Sequence, residues 1–171
     1  MGAAQWLVVA VAALRLLELS YAARNTRRLR ARGAREMGAS HYPMLVALHA
    51  AWLAAIFLAV PPDAPPAPPL AALFALLLLA RAWTIASLGP YWTTRVLTLP
   101  EQPLVRRGPY RFLRHPNYLI VAGEIAVLPL MFGAWRLALA FSVLNALVLW
   151  QRIRIEDQAL APRRALAAPE A

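Results

Sequence analysis

Leu70-Ala71-Ala72-Leu73-Phe74-Ala75-Leu76-Leu77-Leu78-Leu79-Ala80-Arg81-Ala82-Trp83-Thr84-Ile85-Ala86-Ser87-Leu88 carries a single charge, Arg81, in an otherwise almost wholly apolar run. An α-helix needs about 20 such residues to cross the hydrocarbon core of a bilayer. The run therefore predicts a transmembrane helix over residues 70–88. Comparable stretches lie on either side, at residues 3–23, 43–60, 118–132 (short) and 134–150. Gly133 and its neighbours separate the last two, which predicts a tight helical hairpin. The expected fold is all-α: a polytopic membrane bundle of about five transmembrane helices ending in that hairpin.

Composition agrees. The chain of 171 residues is 61% hydrophobic and 15% charged, against about 25% charged in soluble domains, and its mean hydropathy is +0.52. A soluble fold of this size could not hide so much apolar surface. All 18 basic residues are Arg, and the net charge is +10. The arginines cluster at the ends of apolar stretches, which is a membrane pattern and argues against nucleic-acid binding. The absence of Cys excludes disulfides, thiolate metal sites and Cys nucleophiles, and no metal is expected. The first apolar run lacks a basic leader and is interrupted by Arg15, so it reads as an uncleaved span.

The connections alternate in charge. Arg24, Arg27, Arg28, Arg30, Arg32 and Arg35 follow the first span; Arg95, Arg106, Arg107, Arg111 and Arg114 follow the third; Arg152, Arg154, Arg163 and Arg164 follow the fifth. The connection at residues 61–69 is proline-rich without a basic residue and reads as a stiff, extended segment. Basic loops stay in the cytoplasm. The N-terminus is expected outside, the C-terminus inside, and residues 89–117 on the same cytoplasmic side as the tail.

Two cytoplasmic segments carry chemistry. In Gly108-Pro109-Tyr110-Arg111-Phe112-Leu113-Arg114-His115-Pro116-Asn117-Tyr118, Pro116 suits the first turn of a helix. That places His115 just before a helix N-terminus, where anionic groups are favoured. In Arg152-Ile153-Arg154-Ile155-Glu156-Asp157, Arg152 and Glu156 share a helix face at i,i+4 spacing. The hairpin returns this second segment to the level of His115. A cation, an anion, an imidazole and two phenols would then line one pocket.

The paired motifs Gly108-Pro109-Tyr110 with Arg114-His115-Pro116-Asn117-Tyr118, and Arg152…Glu156-Asp157…Leu160 beyond a hairpin, resemble the isoprenylcysteine carboxyl methyltransferase family over about residues 95–160. The resemblance implies a membrane O-methyltransferase that uses S-adenosylmethionine and releases S-adenosylhomocysteine. It implies a cofactor site of Gln102, Pro103, Leu104, Val105, Tyr110, His115, Pro116, Asn117, Tyr118 and Glu156, with Arg152 touching or placing the substrate. The implied acceptor is a lipophilic small molecule or lipid, and the implied location a bacterial inner membrane with the site facing the cytoplasm. Residues 1–171 would form one membrane domain: three helices within 1–88, then a cofactor-binding loop, hairpin and cytoplasmic helix extension within 89–160. Tyr91-Trp92-Thr93-Thr94-Arg95 leading into Pro103-Leu104-Val105 also resembles a bacterial branch that O-methylates alkylpyrones. The chain departs from the family in having Asp157 where a second Glu is usual. It also has residues 161–171 where many relatives continue with an aromatic residue and Gly-Glu-Glu-Tyr.

Plainer readings stand beside these. His115 also reads as an interfacial histidine, Tyr110 and Tyr118 as aromatic-belt anchors, and Arg152 with Glu156 as a solvated pair. His41 and His49 read as structural. Arg15 and Glu18 suit a local pair. Arg81 can snorkel. Glu124 can pair with Arg81 or Arg15, or line a tunnel for the acceptor. Pro129 is expected to kink its helix, and Asn145 to bond across helices. Phospholipid N-methylation and a non-enzymatic transporter or scaffold are the competing functions.

Overall fold

The computed structural model describes residues 1–99 and 102–165. Five helices dominate it: α1 (Ala3–Ala31), α2 (Tyr42–Ala59), α3 (Pro68–Leu88), α4 (Pro116–Met131) and α5 (Trp135–Ala165). The chain is an integral membrane protein. α1, α2, α3 and α5 are each long and apolar enough to cross a bilayer, and α4 is a shorter apolar helix. Ala- and Leu-rich runs favour helix. Pro68 and Pro116 sit at helix starts, where a missing N–H leaves nothing unsatisfied. Gly133, at φ +73°, makes the left-handed turn of the α4–α5 hairpin.

At 1.5 Å per residue α1 and α5 are about 44 and 46 Å long, against a hydrocarbon core of about 30 Å. Each outruns the membrane by about three turns. The spans read at residues 3–23 and 134–150 are thus the apolar parts of longer helices.

Val8, Val11, Trp52, Ile56, Phe74, Ile125 and Leu128 form the core. Outward-facing Leu17, Leu58, Leu79 and Leu147 are exposed, an apolar surface suited to lipid rather than water. α4 packs between α3 and α5. At one end of the bundle Gln5 Nε2 donates to the Val60 carbonyl at 2.8 Å, and the Ala67 N–H donates to the Met131 carbonyl at 2.8 Å. This end holds the proline-rich connection. The basic connections gather at the other end.

That basic end contains a feature the sequence pattern did not reveal. β1 (Arg35–Met37) and β2 (Val96–Thr98) pair antiparallel, Glu36 opposite Leu97. Three residues are too few for a two-residue alternation to register. Glu36 lies between two cations: Arg95 Nη1 donates to it at 2.6 Å, and Arg30 also pairs with it. Burial acts to raise the Glu36 pKa, but these hydrogen bonds outweigh it and hold the carboxyl below its ordinary value. Arg95 also stacks over the Tyr42 ring at 4.3 Å. The ribbon thereby ties the α1–α2 connection to the segment that follows α3.

Within the bundle, four charges join three helices. Arg15 contacts Glu18 at 2.7 Å and Glu124 at 2.9 Å, and Arg81 contacts Glu18 at 2.8 Å and Glu124 at 3.2 Å. The local Arg15–Glu18 pair and both candidate partners of Glu124 are realised together. Arg81 is buried in this network instead of snorkelling. Asn145 is buried, and its side-chain oxygen, expected to bond across helices, has no partner among the described residues. Pro129 lies two residues from the end of α4, where its carbonyl accepts the N–H groups of Phe132 and Ala134 and closes the turn.

Candidate active site

Gly108-Pro109-Tyr110-Arg111 folds as a 3₁₀ turn against α3. Gly108 has φ +52°, and a Cβ there would lie 2.1 Å from Ser87 Oγ. Left-handed backbone costs a residue with a Cβ about 1–2 kcal/mol, and Ser87 would also have to move. Gly108→Ala should therefore lower the melting temperature of the detergent-purified protein. An unchanged melting curve would show that the turn does not pack as described.

The turn delivers His115 to the N-terminal end of α4 and Tyr118 to its first turn. Their rings stack with centroids 5.5 Å apart. α5 descends beside them and presents Arg152, Glu156 and Asp157. Arg152 and Glu156 meet through the Tyr118 hydroxyl. Tyr118 donates to Glu156 Oε2, and Arg152 Nε donates to Tyr118 Oη at 3.1 Å. Arg152 Nη2 also donates to the Thr94 carbonyl at 2.8 Å. The guanidinium is buried, so it is held by packing as well as by these bonds.

His115 Nε2 lies 3.1 Å from Asp157 Oδ1, which Arg164 also contacts. A carboxylate only accepts, so Nε2 carries the proton, and in the neutral ring Nδ1 is a bare acceptor. Nδ1 is buried and has no hydrogen-bond partner among the described residues, 3.8 Å from Glu156 Oε1. The buried side-chain oxygen of Asn117 also has no partner among the described residues. Buried polar atoms ordinarily find partners, so this corner calls for a ligand that supplies N–H or O–H groups.

Burial alone would raise the Asp157 pKa, but hydrogen bonds from Arg164 and His115 hold it below the ordinary value. A folded pKa below the unfolded one stabilises the fold above the unfolded value of 3.8 and is lost as pH falls through the folded value. The melting temperature of the wild type should fall on acidification in that range, and that of Asp157→Asn should fall less. Parallel profiles would count against these ion pairs.

One cavity of about 850 Å³ runs from this cluster into the bundle. Small-molecule sites commonly span about 300–1,000 Å³, so the cavity could hold a cofactor and an acceptor together. Leu104, Val105, Tyr110 and Asn117 line it, as do His115, Tyr118, Arg152 and Glu156. Gln102, Pro103 and Pro116 do not line it. Arg163, near the end of α5, donates to the Gln102 and Pro103 carbonyls at 2.7 and 3.1 Å and holds that loop down. Burial, and secondarily the Glu156 charge, push the Tyr110 phenol up, so it stays protonated. Thr94, Asp157, Arg163 and Arg164 were not among the sequence-derived site residues. Only the position of Asp157 beside Glu156 hinted at its role.

The fold and site define a polytopic membrane protein that encloses a small-molecule cavity between two motifs at its basic end. The chain belongs to the isoprenylcysteine carboxyl methyltransferase family, whose model matches residues 70–162. It is thus a membrane methyltransferase by family. It is 36% identical over 160 residues to the uncharacterized protein YpbQ of Bacillus subtilis (strain 168), covering 91% of this chain and 95% of the relative. It is 30% identical over 156 residues to an uncharacterized protein of Haemophilus influenzae (strain ATCC 51907 / DSM 11121 / KW20 / Rd), covering 88% and 91%. No solved structure matches it.

Proposed function

We propose that the protein transfers a methyl group from S-adenosylmethionine to the carboxylate or acidic enol oxygen of a lipophilic acceptor, at the cytoplasmic face of a bacterial inner membrane. The carrying observation is the continuous cavity that joins the His115–Tyr118–Arg152–Glu156 cluster to the bundle interior. The whole chain works as one membrane unit, with the proline-rich connection outside and the basic end inside.

The residues fit the cofactor. Glu156 and the bare His115 Nδ1 face each other as two acceptors and suit an ammonium group. The Asn117 oxygen suits a hydroxyl, and Tyr110 and Leu104 offer flat or apolar walls. Bound S-adenosylmethionine supplies an electrophilic methyl on a sulfonium. The protein's part is to align the acceptor oxygen and exclude water, effects worth about 7–11 kcal/mol when geometry is good. Arg152 is a buried cation facing the cavity and favours an anionic acceptor oxygen. The same charge disfavours a cationic amine headgroup, which argues against phospholipid N-methylation. Tyr110 stays protonated and cannot act as a base. A carboxylate, or an enol such as a hydroxypyrone, needs none, because it is already ionised at neutral pH. A groove between α1 and α3, lined by Leu14, Leu17 and Leu78 together with Glu18 and Arg81, lies beside the cavity, and entry of the acceptor sideways from the lipid there passes that ion pair.

The test is methyl transfer by detergent-purified protein from labelled S-adenosylmethionine to three probes: a long-chain fatty acid, a hydroxypyrone with an alkyl tail, and phosphatidylethanolamine. Label is expected on an acid or enol oxygen. Label on phosphatidylethanolamine alone would replace this reading with N-methylation.

A further inference from the structure

The cavity does not end at the cluster that would carry out methyl transfer. Its inner part is lined by Arg15, Glu18 and Arg81 of the charge network and by His49 of α2. Glu124, which completes the network, lies six residues beyond Tyr118 on α4, about 9 Å deeper at 1.5 Å per residue. Between the two polar sites the walls are apolar, with Leu45, Val46 and Val121 among them. The cavity is therefore polar at both ends.

The inner end retains hydrogen-bonding capacity. Arg15 commits Nη1 to Glu18 and Nη2 to Glu124, and its Nε has no partner among the described residues. His49 Nδ1 lies 2.9 Å from the Leu45 carbonyl. A carbonyl only accepts, so Nδ1 carries the proton and the neutral ring keeps Nε2 as a bare acceptor. Nε2 has no partner among the described residues. The side chains of Arg15, Glu18 and Arg81 keep 14%, 18% and 10% of their exposure, and that of Glu124 keeps 5%. Glu18 and Arg81 share theirs with the groove between α1 and α3, whereas Arg15 lines the cavity only. Charges inside a membrane are costly, and they characteristically face a bundle interior or a water-filled pathway. If helix pinning were their only task, apolar residues of similar volume would serve as well or better.

We infer that His49 and Arg15 form a second binding subsite, which receives a hydroxyl or keto oxygen on the lipophilic acceptor deeper in the bundle than the oxygen that is methylated, by a depth gauged from the rise of about 9 Å between Tyr118 and Glu124 along α4. A hydroxyl there donates to His49 Nε2 and accepts from Arg15. A keto oxygen accepts from Arg15 alone. The site thus selects an amphiphile oxygenated at two places over one with a plain hydrocarbon tail. This specificity rests on the proposed methyltransferase reading, but its ligand is the acceptor alone.

The experiment measures equilibrium binding of two hydroxypyrone probes of equal chain length. One has a saturated tail, and the other carries a tail hydroxyl about 9 Å from the enol oxygen. The wild type should bind the hydroxylated probe about tenfold more tightly, equivalent to about 1.4 kcal/mol. His49→Leu should lose the preference, and His49→Gln, which restores an acceptor, should recover part of it. Melting curves identify a variant that fails to fold, in which case the wild-type preference alone decides. Equal binding of the probes by the wild type, or a full preference in folded His49→Leu, would overturn the inference. S-adenosylhomocysteine binding is measured on the same samples. Its absence beside a clear probe preference would remove the methyltransferase reading and leave the subsite.

Discussion

Glu156→Gln should weaken binding of S-adenosylhomocysteine by about 100-fold, as measured by calorimetry on detergent-purified protein. Glu156 is the carboxylate at the centre of the cluster: Tyr118 donates to one of its oxygens, and His115 Nδ1 lies 3.8 Å from the other. A hydrogen bond to a charged group contributes about 1.5–3 kcal/mol, and each 1.4 kcal/mol is a factor of about ten. The amide keeps the shape but removes the charge and turns one acceptor atom into a donor. Tyr118→Phe removes only the hydroxyl shared by Glu156 and Arg152 and should cost less. Unchanged affinity in a folded Glu156→Gln protein would move the cofactor away from this corner. Loss of binding with an unchanged melting curve would place it there.

Glu124→Gln should lower stability by about 3–5 kcal/mol, the usual cost of breaking a buried ion pair by removing one partner. The variant leaves Arg15 and Arg81 sharing Glu18, with an uncompensated positive charge inside the bundle. Thermal unfolding in detergent measures the loss, best over a range of detergents so that micelle effects cancel. Replacing all four charged residues together by Leu or Met should cost far less than the single change, because the desolvation penalty disappears with the charges. A single substitution no worse than the quadruple one would show that water already reaches the network and screens it.

The two sites differ in how legible they were in the sequence. The spans, the Gly133 hairpin and the pairing of the His115 and Glu156 segments could all be read, because each is a local pattern or joins two local patterns across one short turn. The role of Asp157 was harder to see, since its partners His115 and Arg164 lie on two segments. Thr94 and Arg163 act through backbone carbonyls and their neighbours, which residue type does not announce. The β1–β2 ribbon joins segments about sixty residues apart by only three residues each.

The sequence by itself determined that the chain lives in a bilayer, where its helices run and which connections share an end, because apolar length and flanking charge accumulate within a single window. Only the tertiary structure decided that Arg15, Glu18, Arg81 and Glu124 form one network, and that the first three line the cavity beginning at Tyr118. Helices that are apolar all round carry no periodic signal to fix their rotation. The depth and facing of charges as far apart as Arg15 and Glu124 are therefore set by how the helices pack.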